Sequence, residues 1–384
     1  MIYVIGIALT FFLDFLLISK KNKSFADKIL AAWLFVTGVH LTLFYLYFTS
    51  NSYQFPFLLG IEMPLPLLHG PFLYLYTVFA TNQNSAKKGL YFLHFLPPFA
   101  LYLYLIPFFL LPAETKISVF KNQGMGYESL IQIVIFLISL SGVIYIVLSL
   151  IVLKKHRQSI LNQFSYIEKI NFNWLKYLIY GMGILWVVIL LGFSDTILFT
   201  AVTGYIFFLG YFGIKQVGVF TNLTPYLNTN IAENKLFLLD TTVLNDENIP
   251  IETPVKYLKS GLSKEISNEI HIALTAVMNN EKFFKDAELS LASLANHLNV
   301  QPNYLSQVIN QMEGKNFYDY INALRIEEFK KLVAQPNSQK YTLLALAYEC
   351  GFNSKTSFNR HFKKLTGQSP SEFTDQLIIL PIIS

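Results

Sequence analysis

The chain has 384 residues, 53% hydrophobic and 14% charged, with a formal net charge of +5. A soluble domain carries about 25% charged residues, so an ordinary soluble protein is excluded for the whole chain. The one cysteine, Cys350, excludes an intrachain disulfide and a Cys-rich metal site.

The charge deficit is local. Residues before Lys215 carry few charges, in short islands, whereas residues after it have a soluble composition. Two parts therefore meet near Gln216. The N-terminus has no basic n-region and no A-x-A-like cleavage site, so it is expected to stay as a membrane helix.

Seven apolar stretches are candidates to cross a bilayer core, which takes about 20 residues. They are Ile2–Ile18, Leu30–Tyr47, Pro64–Ala80, Leu90–Leu111, Leu130–Leu153, Trp174–Phe193 and Thr196–Ile214. Basic islands follow the first (Lys20, Lys21, Lys23, Lys28), the third (Lys87, Lys88), the fifth (Lys154, Lys155, Arg157, Lys169) and the seventh (Lys215). The loops between them are nearly neutral. The positive-inside rule then places the N-terminus outside and everything after Lys215 in the cytoplasm. The longest outer loop, roughly Pro112–Ser129, has no room for a folded sensor. A signal must enter through the bundle, a small external mouth or another membrane protein. Asp14, His40, His69 and His94 fall inside the spans. Ionisable groups at that depth are costly and often functional, so these four form a candidate intramembrane signal site. The alternative is that each lies near an interface or bonds to a neighbouring helix.

The stretch 217–262 is dense in Asn, Thr and Pro and loses the helical period, which predicts an irregular linker. A helix is expected from Lys264 to Asn279, capped by Ser263. Leu291, Leu294, Ala295 and Leu298 then mark a short amphipathic helix with Ser290 as its cap. Asn299 supplies a left-handed turn, and Pro302 opens a second helix with Leu305, Val308, Ile309 and Met312 inward. Asn303, Ser306, Gln307 and Asn310 face out. The same construction recurs. Thr342 caps a helix carrying Leu343, Leu346, Ala347 and Cys350; Gly351 breaks it; Asn353 or Ser354 caps a helix anchored by Phe358 and Phe362. Its outer face holds Lys355, Thr356, Asn359, Arg360, Lys363 and Lys364. Helix, turn, helix is the shape that lays a second helix in a DNA major groove. Arg and Lys suit guanine and phosphate, and Asn suits adenine. Between the units, Asn316–Val333 reads as one long amphipathic helix.

The stretches "LASLANHLNVQPNYLSQVIN", "NFYDYINALRIEE" and "LAYECGFNSKTSFNRHFKKLTGQSPSEF" resemble the DNA-binding domain of AraC/XylS-type regulators. The whole order of parts resembles membrane-bound bacterial regulators of that family. The resemblance implies that the two second helices enter successive major-groove segments. By position it assigns DNA contacts to Asn303, Ser306 and Gln307, and to Lys355, Thr356, Asn359 and Arg360. The first of these helices departs from the expected chemistry, having no Lys or Arg before Lys315. A homodimer would compensate through bivalency.

The expected architecture is all-α: a polytopic membrane helix bundle over 1–216, a linker over 217–262, and a cytoplasmic tandem helix-turn-helix DNA-binding domain over 263–384. The expected role is a transcription regulator in the bacterial inner membrane. Its partners would be double-stranded DNA, the lipid bilayer, a second copy, and an unidentified signalling partner or small ligand. A transporter or channel with a regulatory helix-turn-helix domain is the alternative. No nucleophile motif, phosphate loop or Cys/His cluster points to an enzyme, a cofactor or a metal.

Overall fold

A computed structural model describes residues 2–49, 51–81, 88–166, 173–215 and 262–379. The linker expected over 217–262 lies, but for its last residue, outside them. Every named element among the described residues is helical. The chain divides into two compact units: residues 1–156 with 172–226, and residues 157–171 with 227–384.

The first unit holds α1 (Ile2–Ser19), α2 (Phe25–Phe48), α3 (Pro66–Ala80), α4 (Leu96–Tyr104), α5 (Ile106–Phe109) and α6 (Ala113–Lys121). It also holds α8 (Asn173–Leu190), α9 (Asp195–Lys215) and most of α7 (Glu128–Gln163). Among the described residues four helices, α1, α2, α7 and α9, are long and apolar enough to cross a membrane. Of the seven stretches read from the sequence, the third and fourth do not form single helices of that length. Proline is the reason. It removes a backbone donor and clashes with the preceding turn, so it favours helix starts and weakens a helix it falls within. Pro66 opens α3, which has 15 residues and holds Pro71 in its interior. In the fourth stretch, prolines in the first turns of α4 and α5 divide the chain, after a 3-10 segment over Lys88–Phe95. The sixth gives α8, with 18 residues.

The interior of this unit is built on Leu13, Leu17, Leu30, Leu73, Leu178 and Ile179. Large apolar side chains also lie on its outside: Phe15, Phe136 and Ile184 are each about two-thirds exposed. Small residues let the helices approach. A Cβ on Gly142 would fall 2.2 Å from the Trp186 ring.

The second unit holds α10 (Lys264–Ala276), α11 (Leu291–His297), α12 (Pro302–Met312), α13 (Phe317–Val333), α14 (Leu343–Glu349), α15 (Lys355–Thr366) and α16 (Pro370–Ile379). It has two cores. Leu274, Leu294, Leu305, Ile309 and Phe317 belong to the first; Ala347, Cys350, Phe352, Phe358 and Phe362 belong to the second. α13 serves both, giving Tyr320 and Ile321 to the first and Ile326 and Phe329 to the second. One rigid helix therefore holds two small domains that share little other core.

Candidate nucleic-acid interface

The first pair of helices forms for the reasons its residues suggest. The Ser290 hydroxyl accepts from the Ser293 amide at 3.1 Å, capping α11. Asn299 takes φ +54°, the left-handed turn that Asn tolerates. Pro302 opens α12, which buries Leu305, Val308 and Ile309. Asn303 and Asn310 are exposed, and Ser306 and Gln307 are half-buried. The Asn310 amide donates to the Ser306 carbonyl at 2.7 Å, so its carbonyl oxygen is the end presented outward.

The second pair repeats the plan. Thr342 caps α14 by accepting from the Ala345 amide at 3.1 Å. Ser354 caps α15 by accepting from the Ser357 amide at 3.1 Å, which selects it over Asn353. Gly367 ends α15 at φ +80°. Phe358 and Phe362 are 1% and 0% exposed, with their rings 4.6 Å and 5.6 Å from that of Phe329. Lys355, Thr356, Asn359, Arg360, Lys363 and Lys364 are all exposed. Two of the cations are already oriented. Arg360 donates to the Tyr318 hydroxyl, and Lys364 meets the Asp319 carboxylate at 2.8 Å. Both partners sit in the first turn of α13. The side chains between the phenylalanines thus form a basic and amide-rich face on a helix held firmly from below.

A joint between the two helix-turn-helix units went unread in the sequence. Arg325 is 1% exposed. Its Nε donates to the Phe284 carbonyl at 2.8 Å and its Nη2 to the Asp286 carbonyl at 2.6 Å. Nη2 also reaches the Ser165 hydroxyl at 3.2 Å, and Nη1 the Ser165 carbonyl at 3.3 Å. Asn322, fully buried, donates to that same carbonyl at 3.0 Å. Ser165 returns a bond from its hydroxyl to the Leu289 carbonyl at 2.6 Å, and Phe164 pairs with Ser290 as an antiparallel bridge. The segment after α7 is therefore part of the second unit's interior. One signal for Arg325 was available. It lies four residues after Ile321 and four before Phe329, a cation in line with two core residues. Nothing marked Ser165.

Glu328 completes the joint, with Lys282 at 2.6 Å and Lys285 at 3.2 Å from one carboxylate oxygen. Burial works to raise this carboxyl, but the hydrogen bonds and charges of the two lysines outweigh it and hold it below the ordinary glutamate value. A carboxyl depressed on folding contributes stability above its unfolded pKa. That contribution is lost as the pH falls through the folded pKa. We expect the thermal midpoint of the second unit to fall on acidification through the glutamate range, and to fall less in Glu328→Gln. Melting curves across a pH series read this directly; parallel curves for the two proteins would remove Glu328 from the account. By contrast, burial pushes the Cys350 thiol up to about 12, which leaves it an inert core residue.

Asp14, His40, His69 and His94, the candidate signal-site residues of the apolar unit, do not form one group. The His40 Nδ1 and His69 Nε2 atoms are 3.0 Å apart, and the Trp33 indole donates to the His69 Nδ1 at 3.0 Å. His94 instead meets the Tyr145 hydroxyl at 3.1 Å. Asp14 is buried on α1. Only His40 and His69 line the cavity of about 580 Å³ enclosed by α2, α3, α7, α8 and α9. No His/Cys/Asp/Glu group fit for a metal occurs among the described residues.

The geometry of the second unit is that of a tandem helix-turn-helix domain, and residues 294–376 match the profile of the family described as "Helix-turn-helix domain". The chain is similar to the HTH-type transcriptional regulator YobQ of Bacillus subtilis, at 27% identity over 33% of this chain and 57% of that one. It is also similar to the arabinose operon regulatory protein of Escherichia coli, at 32% identity over 23% of this chain and 29% of that one. Among solved structures, the C-terminal domain of AraT, a response regulator from Geobacillus stearothermophilus, is 29% identical over 30% of this chain and 88% of that one, with a TM-score of 0.25. The chain thus spans about half, or less than a third, of the lengths of these curated relatives.

Proposed function

We propose that this protein is a membrane-anchored transcription regulator of the AraC type, which couples a signal received in its apolar unit to sequence-selective binding of double-stranded DNA. The reading assigns DNA contacts to Asn303, Ser306, Gln307 and Asn310 on α12, and to Lys355, Thr356, Asn359, Arg360 and Lys363 on α15. The observation that carries it is the pair of capped helix-turn-helix units on one shared helix, each offering polar side chains on its second helix. The reading places the protein in a bacterial inner membrane, N-terminus outside and second unit in the cytoplasm, acting as a homodimer. A dimer offsets the absence of any Lys or Arg on α12, because a second tethered contact raises the effective concentration of the first.

The coupling step has its own support. α7 is a single helix of 36 residues, about 54 Å at 1.5 Å per residue, longer than the roughly 30 Å bilayer core. The residues that follow it, Phe164 and Ser165, are bonded inside the second unit at the joint between the helix-turn-helix pairs. A reporter whose response to its signal survives replacement of residues 157–171 by a Gly/Ser linker of equal length would remove this step.

DNA binding is tested on the full chain in detergent, because truncation at residue 262 would strip Ser165 from Arg325 and Asn322. Genomic fragments serve as competitors at two salt concentrations. Asn359→Ala is expected to weaken selective binding by about 1–3 kcal/mol, roughly tenfold to a hundredfold. Lys355→Ala and Lys363→Ala are expected to weaken all sequences alike, each lowering the salt slope by about one. No selective binding at low salt would leave the transporter or channel reading.

A further inference from the structure

The cavity of the apolar unit has a defined hydrogen-bonding chemistry, set by where its protons are. The Trp33 indole can only donate, so the His69 Nδ1 that receives it carries no proton. His69 is then a neutral ring with its proton on Nε2, and that proton goes to the His40 Nδ1 at 3.0 Å. His40 in turn is neutral and protonated on Nε2. That N–H has no protein acceptor among the described residues. Three hydroxyls on the cavity wall, those of Thr37, Ser139 and Tyr205, have no donor to spare. Thr37 donates to the Trp33 carbonyl, Ser139 to that of Ile135 and Tyr205 to that of Leu178, each at 2.8 Å. The rest of the inner wall is Leu, Ile, Phe, Val, Trp, Met and Pro, with Tyr47 and Asp195 at one end. His40 lies seven residues before Tyr47 on α2, about 10 Å deeper. The volume, about 580 Å³, falls in the range of small-molecule sites.

We infer that this cavity binds a small, uncharged, mostly apolar molecule whose one carbonyl oxygen accepts the His40 Nε2–H about 10 Å below the Tyr47 end. The chemistry selects against charged ligands, because no counter-ion stands beside the His40 donor. An ester carbonyl of a bilayer lipid and a free ketone or lactone present the same acceptor. The inference rests on reading the apolar unit as the signal-receiving membrane bundle.

Trp33 and Trp186 both line the cavity, so in a Trp174→Phe background all the indole fluorescence reports on it. Full-length protein in nanodiscs is titrated with a medium-chain bromoalkyl ketone and with the bromoalkane of equal length. Saturable quenching is expected for both, about tenfold tighter for the ketone, the worth of one buried hydrogen bond. His40→Phe is expected to abolish the preference. Ile138→Phe, which leaves the histidine chain intact and fills the space, is expected to abolish saturation. Equal affinities, a preference surviving in His40→Phe, or quenching that only tracks lipid partition would each overturn the site. Repeating the titration in ether-lipid discs identifies the source. A tighter ketone there shows that lipid esters occupy the site; an unchanged affinity assigns it to a free molecule. Quenching as expected, with a transcriptional reporter that ignores the ketone, would leave the site standing and overturn the regulator reading instead.

Discussion

Arg325→Ala strongly destabilises the second unit while leaving the apolar unit unaffected: that is the expected result. The Arg325 guanidinium satisfies carbonyls of Phe284, Asp286 and Ser165, and it is 1% exposed. Alanine would leave the Phe284 carbonyl unpaired, would strip one donor each from the Asp286 and Ser165 carbonyls, and would open a cavity where the largest fully buried side chain among the described residues had been. The unpaired carbonyl and the cavity together cost about 3–5 kcal/mol, against a total of about 5–15 kcal/mol for a domain. Lysine keeps the charge but not the planar fork, so Arg325→Lys should recover only part of the loss. Limited proteolysis of the full chain in nanodiscs separates the two units. The variant should be cut rapidly within residues 262–379 and lose DNA binding, with fragments of the first unit unchanged. A variant as resistant as the parent protein would mean that water replaces the side chain at no cost, and that the joint is not what orders the two helix-turn-helix pairs.

The contrast between what was readable and what was not follows from the range of each interaction. The caps at Ser290 and Thr342, the turn at Asn299 and the proline at the start of α12 are decided within four residues, and periodicity exposes them. Phe358 and Phe362 mark a buried face because they lie one turn apart. The spans were harder. Mean apolarity over Leu90–Leu111 looks like one helix, and only the prolines near the starts of α4 and α5 tell otherwise. The pairing of His40 with His69 needs two helices brought side by side, and no local pattern encodes that. Ser165 is the extreme case. It is 160 residues from Arg325 and stands between Phe164 and Tyr166 with no local pattern to single it out, so only the assembled fold reveals it. Arg360 was read as a free base-reading cation; the fold ties it to Tyr318, which turns a flexible arm into an aimed one.

Gly351→Ala tests the same joint from its other side, with an effect of comparable size. Gly351 has φ +95°, which alanine adopts only under strain, and a Cβ there would lie 2.7 Å from both the Phe284 and Lys285 carbonyl oxygens. Those atoms are backbone, so no rotamer change makes room. The loop must move, and it is the loop that accepts the bonds of Arg325 and bears Lys285 toward Glu328. We expect a loss of about 2–4 kcal/mol, strain and displacement together. Gly314 supplies the control. Its φ is +64° and a Cβ would meet nothing within 4 Å, so Gly314→Ala should cost only about 1 kcal/mol. Because Gly351 and Arg325 act on one loop, the double variant should lose clearly less than the sum of the single losses. Strict additivity, or equal costs at Gly351 and Gly314, would show that the close approach is relieved elsewhere. If the interaction is present, selective DNA binding should fail in Gly351→Ala even well below its melting temperature. Each helix-turn-helix pair would still be folded about its own core, and only the register between α12 and α15 would be gone.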